Sequence, residues 1–284
     1  MPRVAITGAH GYVGSVIANA FRQGGWSVTA LSRLPAADGV IPFALGERVA
    51  NLSGLGIQAL VHAAYDFSLT RWEEIDRINV HGTQILFDAA KSAGVERILL
   101  ISTLSAFEGT RSLYGRAKLA MEQLALSFGG SVVRPGLVYG ERAGGMTGAL
   151  EQTVQTQRII PVLSHGRSKL YLVHADDLAT LIVRLTEAPV WPPTPRITTA
   201  AGQRGWTLQG ILRAFARGMN RRIVAVPLPW QFVWLGLRVF EAVGIRLKYR
   251  SDSVLSLSAA NPEAAWKGSR SKAVQFREFS GTDQ

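Results

Sequence analysis

The chain has 284 residues, 47% of them apolar, which is enough for one large domain or for a domain with a small cap. It has no cysteine, and this excludes disulfides, thiolate metal sites and cysteine nucleophiles. The net charge is +11, and the part from Arg204 onward has 13 basic and five acidic residues. Because no nucleic-acid motif accompanies this positive charge, an anionic small molecule is favoured over nucleic acid as partner.

The first predicted elements are a strand, a glycine turn and a helix. Residues 3–7 are mostly apolar and β-prone, glycines follow at positions 8, 11 and 14, and an amphipathic run begins near residue 12. Such a turn places a phosphate at a helix N-terminus and lets the helix pack closely on the strand. The sequence predicts a dinucleotide site formed by Thr7, Gly8, His10, Gly11, Tyr12, Val13 and Gly14. Because the first strand begins at residue 3, no signal peptide is expected, and a cytoplasmic protein is predicted.

The residues after the second predicted strand, Trp26–Leu31, bear on the choice of cofactor. An acidic residue at this point binds the ribose hydroxyl of NAD, whereas an arginine accommodates the 2′-phosphate of NADP. The chain has Ser32 and Arg33 here and no acid. Because Arg33 can pair with a phosphate and Ser32 can donate to it, NADP(H) is favoured and NAD(H) is the alternative.

Val40–Phe43 and Ala59–Ala64 are the third and fourth predicted strands. Tyr65 and Asp66 follow the fourth strand and are therefore expected at the carboxyl edge of the sheet, where open α/β folds bind ligands. We interpret His62 as a packed, hydrogen-bonded histidine rather than a catalyst. A long helical stretch over residues 71–94 comes next.

A tyrosine and a lysine at helical spacing follow the fifth predicted strand, Arg97–Ile101. Tyr114 and Lys118 share one face of a helix that is predicted to run to about residue 128. A phenol has a pKa of about 10, and a nearby ammonium favours the phenolate, so such a pair can exchange a proton with a substrate oxygen. The strand also delivers hydroxyl groups, among them Thr103 and Ser105, to the same edge.

The rest of the chain is predicted from shorter patterns. A sixth strand (131–133), the start of a substrate-side segment (144–157), a helix (207–220) and a strand (221–226) are expected. The acidic pair Asp176 and Asp177 is interpreted as capping a helix, and no metal site is predicted. Residues 229–243 are apolar but too short to span a bilayer, so a helix over the cleft or in the core is favoured over membrane contact. The last ten residues are expected to be frayed.

Several of these segments together resemble the extended short-chain dehydrogenase/reductases of the NAD-dependent epimerase/dehydratase type. The resemblance rests on TGAHGYVG (7–14), NVHGTQILFDAA (79–90), the Tyr-x-x-x-Lys pair, RPGLVYG (134–140) and LYLVHADDL (170–178). It implies an α/β fold, with a Rossmann-type doubly wound parallel sheet and a small, mostly helical C-terminal substrate-side region. Residues 1–188 would form the dinucleotide-binding domain, with a substrate-side segment at about 141–168, and residues 189–284 the capping region.

The resemblance also implies roles for individual residues. Tyr114 would be the acid/base, Lys118 would lower its pKa and hold the cofactor, and Thr103 would orient the substrate oxygen. Alignment on Phe107–Gly109 would instead put Leu104 at the hydroxyl position, and Ser105 is a third alternative. Further cofactor contacts are expected from His62, Ala63, Ala64, Asn79, Pro135 and Val138, and substrate contacts from Tyr65, Asp66 and Ser105.

The resemblance leaves the substrate and the reaction open. Hydride would be exchanged with a carbinol or ketone carbon, of a nucleotide sugar or a similar small molecule, by an epimerase, a dehydratase or a reductase. A non-catalytic dinucleotide-binding sensor or structural subunit is the alternative. A homodimer through the helices near residues 83 and 118 is compatible with the resemblance.

Overall fold

The computed structural model describes residues 1–49, 52–141, 144–163, 169–242, 251–258 and 269–281. The strands are β1 (Arg3–Thr7), β2 (Ser27–Ser32), β3 (Val40–Pro42), β4 (Ala59–His62), β5 (Arg97–Ile101), β6 (Ser131–Pro135), β7 (Leu137–Tyr139), β8 (Ile159–Leu163), β9 (Leu172–His174), β10 (Ile197–Ala200) and β11 (Val224–Leu228). The helices are α1 (Tyr12–Gln23), α2 (Trp72–Ile75), α3 (Gly82–Ser92), α4 (Leu113–Ser127), α5 (Gly145–Thr156), α6 (Ala175–Thr186), α7 (Leu208–Gly218), α8 (Trp230–Ala242) and α9 (Ser251–Ser258), and a π-helical stretch (Asp76–His81) joins α2 to α3.

The main sheet has seven strands in the order β10-β6-β5-β4-β1-β2-β3, and its strand pairs are parallel. Its central strands are apolar and buried because helices cover both faces. One core lies between the sheet and the α1/α6 layer, and a second lies between the sheet and the α3/α4 layer. The strand order reverses at β1 and β4, and ligands bind beside such a switch point in this architecture. The predicted doubly wound fold is confirmed.

Two smaller parallel sheets stand beside the main one. Strand β7 pairs with β9, and β8 pairs with β11. A third core, which includes Tyr139, Trp206 and Phe279, lies between these strands and α5 and α7. The substrate-side part of the chain therefore contains strands as well as helices, and β10, from the same C-terminal stretch, joins the main sheet.

Several strand boundaries in the structure differ from the predicted ones. The strand expected at 221–226 begins at Val224, the one expected at 131–133 extends to Pro135, and β8 was not predicted. Strands β8 and β11 are paired across more than 60 residues of chain, so their limits depend on a partner that local patterns do not reveal. Residues 142–143 and 164–168 of the predicted substrate-side segment, and residue 243 of the apolar stretch, lie outside the described residues.

The prediction that the last ten residues are frayed is wrong for 275–281. Phe279 is 5% exposed within the third core, and the Arg277 backbone and guanidinium both donate to the Asp177 carboxylate. Arg277 also lies 3.3 Å from the Asp176 carboxylate. The cap of α6 is the His174 ring, which accepts from the Asp176 backbone N–H. The carboxylates of Asp176 and Asp177 do not cap the helix and instead bind Arg277 of the C-terminal segment. Residues 282–284 lie outside the described part.

In the part of the chain that the structure describes, no helix combines the length and the apolarity needed to cross a bilayer.

Candidate active site

The glycine turn between β1 and α1 brings backbone segments into contact that a side chain would separate. Gly8 has a φ of +70°, and a Cβ there would lie 3.1 Å from the backbone nitrogen of Ala64. A Cβ on Gly14 would lie 2.0 Å from the carbonyl oxygen of Gly8. The turn therefore needs glycine at both positions, as the motif predicts.

The same turn fits a dinucleotide phosphate. Gly11 caps α1 without a side-chain hydrogen bond, so the first N–H groups of the helix face outward toward a ligand position. The Tyr12 hydroxyl beside the turn is buried and has no hydrogen-bond partner among the described residues. An unsatisfied buried hydroxyl and a cradle of backbone N–H groups are what an anionic group would complete.

Thr7 links the first strand to the end of β4. Its hydroxyl accepts from the backbone N–H groups of Ala63 and Ala64, at 3.1 and 3.0 Å. It lies 2.7 Å from Nδ1 of His62, to which it must donate its own proton. Thr7, Ala63 and Ala64, three predicted cofactor residues, therefore fix the end of β4 against the glycine turn.

His62 is a buried, neutral histidine. Its Nε2 lies 2.9 Å from the Thr83 hydroxyl, which donates to the Asn79 carbonyl, so Nε2 carries the ring proton. Burial, assisted by the positive charge of Lys118, lowers the pKa of His62 to about 3. His62 is thus packed and hydrogen-bonded through both ring nitrogens.

Asn79 shapes the loop after β4. Its side-chain oxygen accepts from the Asp66 backbone N–H at 2.7 Å, and its amide lies 3.4 Å from the Asp66 carbonyl. The Asp66 carboxylate accepts from the Ser68 backbone and hydroxyl, which closes a local turn. Asn79 thus acts by positioning this loop, and the Asp66 carboxylate is committed to Ser68.

Tyr114, Lys118 and Thr103 meet at the carboxyl edge of the sheet. Tyr114 lies in the first turn of α4, which the Ser112 side chain caps by accepting from the Gly115 N–H at 2.9 Å. The Thr103 side chain lies close enough to the Tyr114 hydroxyl to lower the pKa of the phenol. One turn later, the buried Lys118 ammonium donates to the carbonyl of Ile101 at 2.8 Å.

The alternatives to Thr103 are placed differently. Leu104 packs against Tyr171 and Ala201. The backbone of Ser105 lies against α4, since a Cβ on Gly115 would come within 2.3 Å of the Ser105 carbonyl oxygen. Thr103 is the hydroxyl residue that acts on the Tyr114 pKa, and Ser105 stays the alternative.

Burial dominates the electrostatics of the pair. It raises the pKa of Tyr114 to about 12, although the nearby Thr103 side chain opposes the rise. It lowers the pKa of Lys118 to about 7, against the attraction of Glu122. The sequence leads us to expect an ammonium that lowers the phenol pKa. In this structure the lysine itself is desolvated, and the phenol stays protonated at neutral pH.

Aromatic rings surround Tyr114. The ring of Tyr65 stands edge-on to it with centroids 5.0 Å apart, and the ring of Phe67 lies 5.4 Å away. The Lys118 ammonium lies 5.3 Å from the Tyr65 ring centroid. We call Tyr65, Phe67 and Tyr114 the aromatic cluster. Phe67 is 58% exposed, so the cluster presents an apolar surface beside the Tyr114 hydroxyl.

Two groups of supporting residues were not predicted from the sequence. Glu122, four residues after Lys118, binds the Arg134 guanidinium through both oxygens and accepts from the Ser102 hydroxyl. Asp252 of α9 accepts from the N–H groups that open α4 at Leu113, 2.6 Å, and at Tyr114, 3.1 Å. The i+4 spacing could have signalled Glu122, whereas nothing local signals Asp252.

The remaining predicted cofactor residues lie along the same edge. The Pro135 carbonyl accepts from the Leu104 N–H, and Val138 of β7 pairs with Val173 of β9. His10 and Arg33 are exposed, and the Ser32 hydroxyl accepts from the Leu34 N–H. An open cavity of about 760 Å³, lined by Arg33 and Arg48 among others, lies beyond β3. Among the described residues, neither His10 nor Arg33 is in contact with Tyr114 or Lys118.

Similarity to known proteins agrees with this geometry. The family model for the NAD dependent epimerase/dehydratase family matches residues 4–201. The chain is 29% identical to the ceramide reductase of Caulobacter vibrioides over 242 residues, which cover 80% of this chain and 74% of that protein. It is 30% identical over 122 residues to a Dictyostelium discoideum protein, mitochondrial NADH dehydrogenase (ubiquinone) 1 alpha subcomplex subunit 9, covering 42% of this chain and 33% of that one.

Solved structures share the fold. A human epimerase family protein with NADPH has a TM-score of 0.66 at 20% identity, covering 91% of this chain and 99% of that one. UDP-glucose 4-epimerase from Thermotoga maritima, with UDP-glucose, has a TM-score of 0.66 at 16% identity, covering 90% and 97%. With the family model covering most of the chain and the fold and glycine turn agreeing, this protein belongs to the NAD-dependent epimerase/dehydratase family and is an NAD(P)-dependent oxidoreductase.

Proposed function

We propose that the protein is an NADP(H)-dependent reductase that converts a ketone with an apolar chain into a secondary alcohol. The observation that carries the proposal is the Tyr114 hydroxyl, which lies near the Thr103 side chain and one helical turn from the buried Lys118 ammonium, at the edge of the sheet. Cytoplasmic location and a homodimer remain predictions from the sequence.

The protonation of Tyr114 supports the reductive direction. Reduction of a ketone adds a hydride to carbon and a proton to oxygen. NADPH supplies the hydride when it is bound. Because burial raises its pKa to about 12, Tyr114 carries the proton that the oxygen needs. Thr103 holds that oxygen in line with Tyr114, and Lys118, buried beneath the cluster, positions the ribose and replenishes the proton.

The lining of the cleft supports an apolar substrate. The exposed ring of Phe67 and the edge of Tyr65 flank the Tyr114 hydroxyl, where an aliphatic chain would bury them. The relative that matches most of this chain is named a ceramide reductase, and a ceramide also carries long apolar chains. The nucleotide-sugar enzymes among the solved structures are below 25% identical and support the fold alone.

A substrate series tests the proposal. We expect NADPH-dependent reduction of long-chain aliphatic ketones in micelles, with kcat/KM rising up to about fourfold per added methylene until the cleft is filled. The Phe67→Ser variant should flatten that dependence, whereas Val190→Ser, which changes another exposed apolar residue, should leave it unchanged. Turnover of UDP-glucose with a retained cofactor, and none of any ketone, would contradict the proposal in favour of an epimerase.

Arg33 is the residue on which the choice of NADP(H) depends. It follows β2, is exposed, and has no acidic neighbour in the sequence from 32 to 37. Calorimetry should show that Arg33→Ala weakens NADP(H) binding by roughly tenfold to a hundredfold, because a charge-assisted contact to the 2′-phosphate is lost. NAD(H) binding should not change. The matched control is Arg22→Ala, an exposed arginine on α1. An equal loss of affinity for NADP(H) and NAD(H) would show that Arg33 does not bind the 2′-phosphate.

A further inference from the structure

The β8–β11 sheet exposes one apolar face. Ile159 pairs with Val224, and Pro161 pairs with Val226. Because side chains alternate along a strand, these four residues and Leu228 lie on one face, while Ile160 and Val162 face the third core. Ile159 is 66% exposed and Val224 60% exposed. We call Ile159, Pro161, Val224, Val226 and Leu228 the exposed sheet face.

Helix α8 continues this apolar exposure. Phe232 is 72% exposed, and Leu235 and Val239 are each 56% exposed. Their spacing of three and four residues places them on one side of the helix, and we call these three residues the outer stripe of α8. Only Pro229 separates β11 from α8. Of the 11 exposed large hydrophobic side chains in the described part, seven lie in these two sets, so the exposure is concentrated rather than scattered.

Arginines border the apolar residues. Arg158 precedes β8, and Arg221 and Arg222 precede β11, all of them exposed, and the Arg158 carbonyl accepts from the Val224 N–H. On α8, the Arg238 guanidinium lies 5.9 Å from the Trp234 ring centroid, beside the outer stripe. From residue 188 to residue 240 the sequence has seven arginines and no aspartate or glutamate. The surface is therefore apolar at its centre, with arginines at its border.

We propose that the exposed sheet face and the outer stripe of α8 dock on the surface of an anionic lipid bilayer. An apolar helix face with arginines at its edge suits the interface between acyl chains and headgroups, where the arginine stems can reach anionic phosphates. A second copy of this chain would bring the same arginines, among them Arg158, Arg221 and Arg222, against their own kind at this border, so the excess of positive charge disfavours a symmetric dimer here.

The structure alters the expectation drawn from sequence. From residues 229–243 alone, a helix covering the cleft or packed in the core is favoured, but the outer stripe faces solvent. Helix α8 packs on α9, whose Asp252 binds the N-terminus of α4 at Tyr114. Docking would therefore hold the candidate active site close to the bilayer. The proposal does not depend on the reaction, since binding to vesicles needs no turnover.

Vesicle sedimentation tests the proposal. The full chain should sediment with phosphatidylcholine vesicles that contain phosphatidylserine, should bind pure phosphatidylcholine far less, and should be released by high salt. The triple variant Phe232→Ser, Leu235→Ser, Val239→Ser should bind about a hundredfold more weakly, because three inserted side chains are lost. The pair Arg221→Glu, Arg222→Glu should lose about 25-fold or more, at roughly fivefold per cation.

Matched controls separate docking from general charge and hydrophobicity. Val190→Ser removes an exposed apolar side chain elsewhere, and Arg22→Glu with Arg77→Glu makes the same change of net charge on another part of the surface. Both should bind vesicles like the wild type, and circular dichroism and NADP(H) affinity should be unchanged in every variant. Failure of the wild type to bind anionic vesicles, or loss of binding in the controls equal to that in the test variants, would overturn the proposal. So would a dimer in analytical ultracentrifugation that the triple variant disperses while vesicles stay unbound.

Discussion

At the scale of single residues, the site is governed by burial more than by the charge of its lysine. The Tyr114 phenol has its pKa raised to about 12, and the Lys118 amine has its pKa lowered to about 7. A protonated phenol beside a half-charged amine is suited to giving a proton to a substrate oxygen. The nearby Thr103 side chain moderates the rise in the Tyr114 pKa, because it stabilises the phenolate that remains after the transfer.

The lowered pKa of Lys118 predicts a dependence of stability on pH. Between pH 7 and its ordinary pKa of 10.5, the unfolded chain binds a proton at Lys118 that the folded chain does not. The free energy of unfolding contributed by this residue should therefore rise as pH increases from 7 to 9.5, a range that ends below the titration of Tyr114.

The Lys118→Met variant should lack this rise. Urea unfolding at pH 7, 8 and 9 gives the difference between wild type and variant, in which contributions from other groups cancel. Lys91→Met, a change at an exposed lysine on α3, is the control and should follow the wild type. A constant difference between wild type and Lys118→Met across the range would contradict the lowered pKa.

At the scale of elements, the glycine turn decides how closely α1 lies on β1. The contact is between backbone atoms, so neither partner can rotate away when a side chain is added. This is why the motif could be recognised from sequence, since three glycines between an apolar strand and an amphipathic helix have one common structural explanation.

Gly14→Ala should displace α1. A Cβ at this position would stand 2.0 Å from the Gly8 carbonyl oxygen, so the helix must shift, at a cost of about 1–3 kcal/mol in the free energy of unfolding. NADP(H) binding should weaken at least tenfold because the N–H groups at the start of the helix move. Gly24→Ala, at the other end of α1, meets nothing closer than 3.5 Å and serves as the control. Unchanged cofactor affinity in Gly14→Ala would show that the turn does not hold the phosphate.

Elements were predictable where the chain carries a local pattern. Buried strands such as β4 and β5 read as apolar runs, and α4 reads as a helix that carries Tyr114 and Lys118 on one face. Strand β8 did not, and β11 was predicted with a shifted start, because each strand is short and gains its hydrogen bonds from a distant partner. The contact between Asp252 and α4 was not predicted for the same reason, since 138 residues separate Asp252 from Tyr114.

At the scale of the whole molecule, the C-terminal segment packs against α6 and the third core. It returns to α6 through Arg277 and places Phe279 among Tyr139, Trp206 and Phe215, with ring centroids 5.0 to 5.3 Å apart. The sequence predicts a frayed end, since the last residues are polar and close to the terminus. Their partners Asp176 and Asp177 lie 100 residues earlier, and only the fold brings them together.

Phe279→Ala should destabilise the protein by about 3–5 kcal/mol, since a fully packed ring is removed from the third core. Urea unfolding measures the loss. Phe232→Ala removes a ring of the same size from an exposed position and should change the free energy of unfolding by less than about 0.5 kcal/mol. Equal effects of the two substitutions would mean that the C-terminal segment is not anchored.

The most direct test of the reductase account is the Tyr114→Phe variant, which removes one hydroxyl and keeps the ring. With a long-chain ketone and NADPH, kcat should fall by about 10²–10⁴-fold, while the dissociation constant for NADP(H) stays within about twofold of wild type. Tyr139→Phe, whose hydroxyl binds the Arg277 carbonyl in the third core, should retain turnover. If Tyr114→Phe reduces the ketone at the wild-type rate, Tyr114 is not the proton donor and the account is contradicted.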